Sequence, residues 1–431
     1  MARDGKHRGR ERKVAVLTKQ ERARGRRAMR LFAFFLAVVA AFAGGFVVRS
    51  QVAFVQSLGF TVAPEEATAT GSSKNLKSTY DSISARVAEV EDLLADNSLD
   101  TVDLEKATFS MLDDLLKATG DPYAAYFNPD RYNNYIKETT ERTYAGIGVL
   151  FSEYDGRAYV ADVFEGSEAE AKGVRQGDFV EAIDGDSGRA WSLTEVVNSL
   201  ARDEGASVII TWMRPISLDA QTGSEFTTTL VCRRYDEVNV TTELVNEVGY
   251  IRLRQITQNS SELVRSAVAD LTNQGATAFV LDIRDNPGGY LTQAVDIASL
   301  FIKSGVIVEI RTVDGVSSKT AGGVTVTDAP LVVLVNGYTS AASEVLAAAL
   351  QDNQRAEVVG QTTLGKGSVQ VVRELTFGGA VRYTAAYYLS PLGHEINGVG
   401  VVPNIMVGSA EDADTQRLVA IDTAHSMVTR G

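Results

Sequence analysis

The chain has 431 residues, of which 45% are hydrophobic and 23% charged, an ordinary globular composition long enough for two or three domains. Its net charge of −13 is unevenly spread: residues 1–30 carry 12 Lys and Arg against 3 Asp and Glu, leaving 30 basic and 52 acidic side chains in the rest. An acidic body lacks the clustered Lys and Arg that phosphate neutralisation needs, so nucleic acid is excluded as a partner. The single cysteine, Cys232, excludes an intramolecular disulfide, and with only three histidines and no Cys/His pattern no metal site is expected.

The basic segment 1–30 leads into Leu31–Val48 (LFAFFLAVVAAFAGGFVV), 18 residues without a charge. As a helix this run is roughly 27 Å long, enough to cross a hydrocarbon core. Basic residues ahead of it hold that end in the cytoplasm. A cleaved signal peptide is the alternative. The long basic region and the lack of a small-x-small site favour a retained anchor, giving a single-pass protein of the cell membrane with an exported body. Residues 49–75 read as a linker, since Thr61–Asn75 is rich in Ala, Thr, Ser and Gly without periodicity. Residues 76–140 read as a helical segment in which Leu93, Leu94, Phe109, Leu112, Leu115 and Leu116 recur at helical spacing. Asp121-Pro122 interrupts it, because the residue before proline leaves the α region.

Within 141–233 the texture changes to short strands and glycine turns. Gly146–Phe151 and Ala158–Val163 read as strands, and the turn Gly173–Asp178 precedes a strand at Phe179–Ile183. A short helix at Leu193–Leu200 and a last strand at Val208–Met213 follow. This order, with Gly166–Gly185 (GSEAEAKGVRQGDFVEAIDG), resembles a PDZ domain. Such modules hold an extended peptide by strand addition and its terminal carboxylate by backbone N–H groups. The resemblance places that carboxylate site at Gly146, Ile147, Gly148 and Val149.

Residues 234–408 alternate strands (Tyr250–Leu253, Ala278–Ile283, Leu331–Val335) with helices (Ser261–Leu271, Leu291–Phe301, Ser343–Leu350), the pattern of an α/β core on a largely parallel sheet. Residues 409–431 read as a C-terminal helical tail. Three junctions in the core carry unusual residues. Asp285–Gly289 ends in two glycines that let backbone N–H groups approach a ligand, or simply make a tight turn. Asn336–Glu344 (NGYTSAASE) leads into a helix, where a nucleophile would meet the positive dipole end and where Thr339, Ser340 or Ser343 would equally serve as caps. Gly360–Gln370 (GQTTLGKGSVQ) matches most of a phosphate-binding loop, but Gly367 stands where Ser or Thr should hold magnesium, and VQVVREL reads as strand.

Together these segments resemble the carboxy-terminal processing (tail-specific) peptidases over about Leu76–Val407. The matching landmarks are Asp121-Pro-Tyr, Tyr144-x-Gly-Ile-Gly, the PDZ segment, Gly249-Tyr-Ile-Arg, Leu281-Asp-x-Arg-x-Asn-Pro-Gly-Gly-x-Leu291, Gly365-Lys-Gly-x-x-Gln370 and Gly398-x-Gly-x-x-Pro403. The resemblance implies an α/β protease core with an inserted, mainly β PDZ domain, an N-terminal helical segment and one transmembrane helix. It also implies a serine-type endopeptidase acting on proteins or peptides engaged by free C-termini, with a serine nucleophile and a lysine base and no organic cofactor. Residue by residue it assigns Lys366 as base, Gln370 as its orienting partner, and Gly288 and Gly289 as the turn beside the oxyanion pocket. Self-association is left open.

One departure stands out. The family pattern Asn-x-x-x-x-Ser-Ala-Ser-Glu puts its nucleophile at 341, and this chain has Ala341. A methyl group cannot attack a carbonyl, so the usual acyl-enzyme cannot form. Three explanations stay open: a Ser→Ala change that traps the protein inactive, a natural loss leaving a peptide-binding pseudoprotease, or substitution by Ser340 or Ser343. The last is the weakest, since each neighbour points about 100° or 200° around a helix from 341.

Overall fold

A computed structural model describes residues 73–99, 103–136, 146–235, 238–408 and 413–430. The basic segment 1–30, the apolar run 31–48, most of the linker and Tyr144 lie outside the described residues. Among the described residues no helix is long and apolar enough to cross a membrane. Helix α1 (Ser73–Asn97) starts three residues inside the expected linker and belongs to a separate unit from everything after Val102.

The larger unit opens with α2 (Leu104–Lys117), capped by the Asp103 carboxylate, which accepts from the Lys106 N–H at 3.0 Å. Strand β1 (Ala125–Phe127) and α3 (Pro129–Tyr135) follow. The segment expected to be helical therefore contributes a strand, because Ala125–Phe127 pairs with residues 380–382 far along the chain.

Next comes a five-stranded antiparallel sheet, in the order β2 (Val149–Tyr154), β3 (Arg157–Val163), β4 (Phe179–Ile183), β5 (Ser207–Pro215) and β6 (Gly223–Val231). The short α4 (Glu168–Ala171) and α5 (Leu193–Leu200) accompany it. Its core includes Ile147, Phe151, Val160, Trp191, Val196, Ile210, Trp212 and Leu230. The sequence reading stops one strand short here. In β6 the run Thr227-Thr-Thr alternates by exposure rather than by obvious hydrophobicity.

The central sheet has six strands in the order β16-β13-β12-β9-β8-β7, comprising β7 (Val240–Val245), β8 (Val248–Leu253), β9 (Ala278–Asp282), β12 (Leu331–Val335), β13 (Glu357–Gly360) and β16 (Ile405–Met406). All neighbours are parallel except the β7–β8 hairpin. Every residue of β9 and β12 is buried, as two covered faces require. One face packs on α6 (Ser260–Asn273), α7 (Leu291–Ser299) and α8 (Ala342–Asp352), and the other on α9 (Ala413–Arg430) through Ala420, Ile421 and Ala424. A second sheet joins β1 to β10 (Ser304–Thr312), β11 (Gly315–Gly322), β14 (Ser368–Glu374) and β15 (Ala380–Leu389).

Candidate active site

Strands β9, β12 and β13 lie side by side in register, with Leu334 opposite Asp282 and Val335 opposite Gly360. Their carboxyl ends therefore release three loops at one place, 283–290, 336–341 and 361–367, where parallel sheets place ligands. These are the three junctions singled out in the sequence. The first two are laced together. Asn336 Oδ1 accepts from the Asp285 N–H at 3.0 Å, Asn336 Nδ2 donates to Asp285 Oδ1 at 2.7 Å, and the Ser340 N–H donates to the Asn286 carbonyl at 3.0 Å.

At the end of the second loop Ala341 has φ 54° and ψ −120°, a region L-residues avoid. Such strain costs about 1–3 kcal/mol and persists where the surroundings impose it, as in the sharp strand-to-helix turns that present hydrolase nucleophiles. Ala341 is half-buried, whereas Ser340 and Ser343 have no exposed surface at all. Ser340 Oγ lies 3.2 Å from Ser152 Oγ of β2. Neither neighbour can meet a peptide from this position, and neither caps the helix. Thr339 Oγ1 is spent on the Ile283 carbonyl, at 2.9 Å.

The glycine pair divides its work. Gly288 (φ 88°) donates its N–H to Asn286 Oδ1 at 2.9 Å, so that donor is not free for an oxyanion. What position 288 supplies is space: a Cβ there would stand 2.8 Å from the Ala342 nitrogen and 3.1 Å from the Ala341 Cβ. Among the described residues the N–H groups of Gly289 and Ala342 have no acceptor, the latter at the start of α8. Sequence reasoning named Gly289, while the open N–H of Ala342 follows only from the turn at 341.

The third loop is tied to the second by Glu344, which has no exposed surface. Its Oε2 accepts from the N–H groups of Ala341 (2.9 Å) and Lys366 (2.8 Å), and its Oε1 from the Gly365 N–H and Thr363 Oγ1 (both 2.6 Å). Burial pushes the Glu344 carboxyl up to about 7, against the pull of these four donors. The loop then enters strand β14, with no helix behind its Gly-Lys, so the phosphate-loop resemblance has no structural counterpart.

The Lys366 side chain, 11% exposed, points Nζ at Glu153 Oε2 of β2 at 3.3 Å and lies 5.7 Å from the centre of the Tyr123 ring. Arg382 Nη1 binds the other Glu153 oxygen at 2.9 Å. Burial lowers the Lys366 pKa and outweighs the opposing pull of Glu153. Burial likewise raises Glu153, but Lys366 and Arg382 together hold it below the usual carboxylate range. Gln370 does not meet the lysine: its Nε2 donates to Ser368 Oγ at 2.9 Å and reaches Thr384 Oγ1 at 3.4 Å. The pairing of β14 with β15 sets this amide nitrogen beside Thr384. Asp121 completes this wall, accepting from the Thr384 N–H at 2.7 Å and the Tyr123 N–H at 3.0 Å.

Of the residues expected to bind a peptide terminus, Gly146 exchanges two backbone hydrogen bonds with Arg233, at 2.9 and 2.8 Å, and Ile147 is buried. Gly148 has φ 80°, and a Cβ there would overlap Ser167. Val149 opens β2. No group of acidic, His or Cys residues suited to a metal occurs among the described residues.

A parallel sheet whose strand ends carry a strained helix-start turn, free N–H donors and a buried lysine defines an α/β peptidase core. Residues 247–407 match the model of peptidase family S41. The chain is 36% identical over 307 residues to the carboxyl-terminal-processing protease of Picosynechococcus sp., covering 69% of this chain and 72% of that protein. It is 34% identical over 332 residues to the Synechocystis sp. carboxyl-terminal-processing protease, covering 73% and 76%. The solved photosystem II D1 C-terminal processing protease has a TM-score of 0.62 at 29% identity, covering 75% of this chain and 88% of that one. The chain belongs to the carboxyl-terminal processing proteases, serine peptidases of family S41.

Replacing Glu344 by Gln puts an NH2 group against backbone N–H donors at one of its two oxygens. Unfolding free energy at pH 5 should fall by about 1–3 kcal/mol. A carboxyl raised from 4.5 to about 7 in the fold stabilises fully below pH 4.5, and that contribution is lost as pH rises through 7. Denaturant unfolding should therefore show the parent's advantage over Glu344→Gln shrinking from pH 5 to pH 8. An advantage that grows over that range contradicts the assignment.

Proposed function

We propose that this chain is a Ser/Lys-type endopeptidase scaffold for proteins engaged by their C-terminal tails, held inactive by Ala341. The observation that carries this reading is the backbone at 341: a strained, accessible turn at a helix start, maintained for a residue with no chemistry to perform. With a serine there, Oγ would attack the scissile carbonyl and a neutral Lys366 amine would take its proton. The N–H groups of Gly289 and Ala342 would receive the oxyanion; the C–N bond would then break as Lys366 passes its proton to the leaving amine, and water would hydrolyse the acyl ester and restore the hydroxyl. Burial and the neighbouring Arg382 favour the neutral amine, while Glu153 opposes it, so the lysine has to part from Glu153 to act as base. The alternative, a non-catalytic tail-binding scaffold, is favoured by Ala341 itself.

Ala341→Ser should raise proteolysis of a protein with a free apolar tail by several orders of magnitude, the usual scale for an essential nucleophile. Adding Lys366→Ala or Lys366→Arg should abolish the gain, since guanidinium does not deprotonate. Robust proteolysis by the parent, abolished by Ser340→Ala or Ser343→Ala, would move the nucleophile to that neighbour. No gain from Ala341→Ser would leave the pseudoprotease reading.

We further propose that the β2–β6 unit is a PDZ module binding peptide C-termini at Gly146–Val149. Support comes from β2, which pairs only with β3 among the described residues and leaves its other edge free for strand addition. A peptide with a free C-terminus should bind at least about tenfold more tightly than its amide, the scale of one charge-assisted contact. Equal affinities in a fluorescence titration would contradict carboxylate capture.

A further inference from the structure

Beside the third loop lies a cavity of about 150 Å³, lined by Lys366, by three tyrosines, Tyr123, Tyr154 and Tyr387, and by two acidic residues, Asp121 and Asp155. A space of that size takes one group about as large as benzene. Asp155 is fixed at the tip of the β2–β3 hairpin. There Tyr154 pairs with Arg157, and Asp155 (φ 47°) and Gly156 (φ 74°) both adopt the left-handed backbone of a tight hairpin turn. A Cβ on Gly156 would stand 2.4 Å from the Pro122 carbonyl oxygen, so the tip is packed against the segment that carries Asp121 and Tyr123.

The charges around this cavity do not balance. Glu153 is shared between Lys366 at 3.3 Å and Arg382 at 2.9 Å. Asp121 accepts from the Thr384 N–H and Oγ1 and from the Tyr123 N–H, and among the described residues neither it nor Asp155 has a cation within ion-pair distance. Two nearby arginines add no net charge: Arg157 is paired with Glu181, and Arg311, over the Tyr387 ring, with Glu395. Two cations against three carboxylates leave one negative charge, and two when the lysine is neutral. Tyrosine ring faces also attract cations. An apolar group would leave that charge unanswered, and an acidic one would add to it. We propose that this cavity receives the basic side chain, Lys or Arg, of a substrate residue beside the scissile bond, with Asp155 as its specificity-determining partner. The placement rests on the reading of residue 341 and Lys366 as the site of cleavage, since Lys366 lines the cavity. A cation held there also disfavours a second positive charge on Lys366, so a basic substrate favours the neutral amine.

The test compares lysine with norleucine, which keeps the apolar stem and lacks the charge. Each position of an Ala/Ser peptide is made lysine or norleucine in turn, and binding to the full parent chain in detergent is followed by fluorescence titration. At one position lysine should bind about tenfold more tightly than norleucine, the scale of a partly desolvated cation at aromatic faces. Asp155→Asn removes the charge and keeps a residue that tolerates the left-handed backbone, so it should reduce that preference severalfold. Asp155→Lys should turn the preference toward glutamate at the same position. In Ala341→Ser, the bond beside that lysine should be the one cut, and kcat/KM should show the same preference. The binding arm needs no nucleophile. An inactive Ala341→Ser, with a lysine preference that Asp155→Asn weakens, would retire the cleavage reading and leave the cation site standing. Equal binding of lysine and norleucine at every position, a preference indifferent to Asp155→Asn, or cleavage remote from the preferred lysine would overturn the proposal.

Discussion

The site depends on one buried carboxylate. Glu344 sits on the first turn of α8, and its two oxygens collect four donors from two different loops. An N–H left without a partner in that interior would cost about 1–3 kcal/mol, so the carboxylate fixes where both loops can lie. Through it the turn at Ala341 and the backbone of Lys366 share a single oxygen atom. The strained φ at 341 is tolerable because this bond and the Asn286–Ser340 bond hold the turn from both sides.

A second constraint is electrostatic and comes from outside the central sheet. Lys366 is buried enough that its ammonium needs a counter-ion, and the nearest is Glu153 on β2. Arg382 of β15 shares that carboxylate, and its Nε also donates to the Tyr123 carbonyl, at 2.9 Å. One carboxylate facing two cations stays ionised, and the lysine is left with only a share of it. The charge state of Lys366 is thus set from other strands, and its counter-ion Glu153 lies 213 residues away in the sequence.

Much of this arrangement was legible in the sequence because it rests on local signals. Continuous apolar runs such as Leu331–Val335 mark buried strands, and helix periodicity marks α6 to α8. The three junctions were visible as glycine-rich or Ser-rich interruptions between them. The parallel order of β9, β12 and β13 turns those interruptions into one site. What was not legible depends on long-range pairing. Glu153 looks like any polar residue of an alternating strand, and Glu344 like an ordinary first-turn glutamate. Gln370 is the lysine's partner by family resemblance alone, and its amide nitrogen here donates to Ser368 and reaches Thr384. The β10–β11 hairpin was missed because β11 is almost wholly exposed and carries no apolar alternation.

That Glu344 holds the two loops as one unit can be measured directly by amide hydrogen exchange. In the parent, the N–H groups of Ala341, Gly365 and Lys366 are each hydrogen-bonded to the same carboxylate and should be protected together. In Glu344→Ala all three should lose protection to a similar extent, while the β12 amides keep theirs. Loss of protection at Ala341 alone, or at none of the three, would contradict the account.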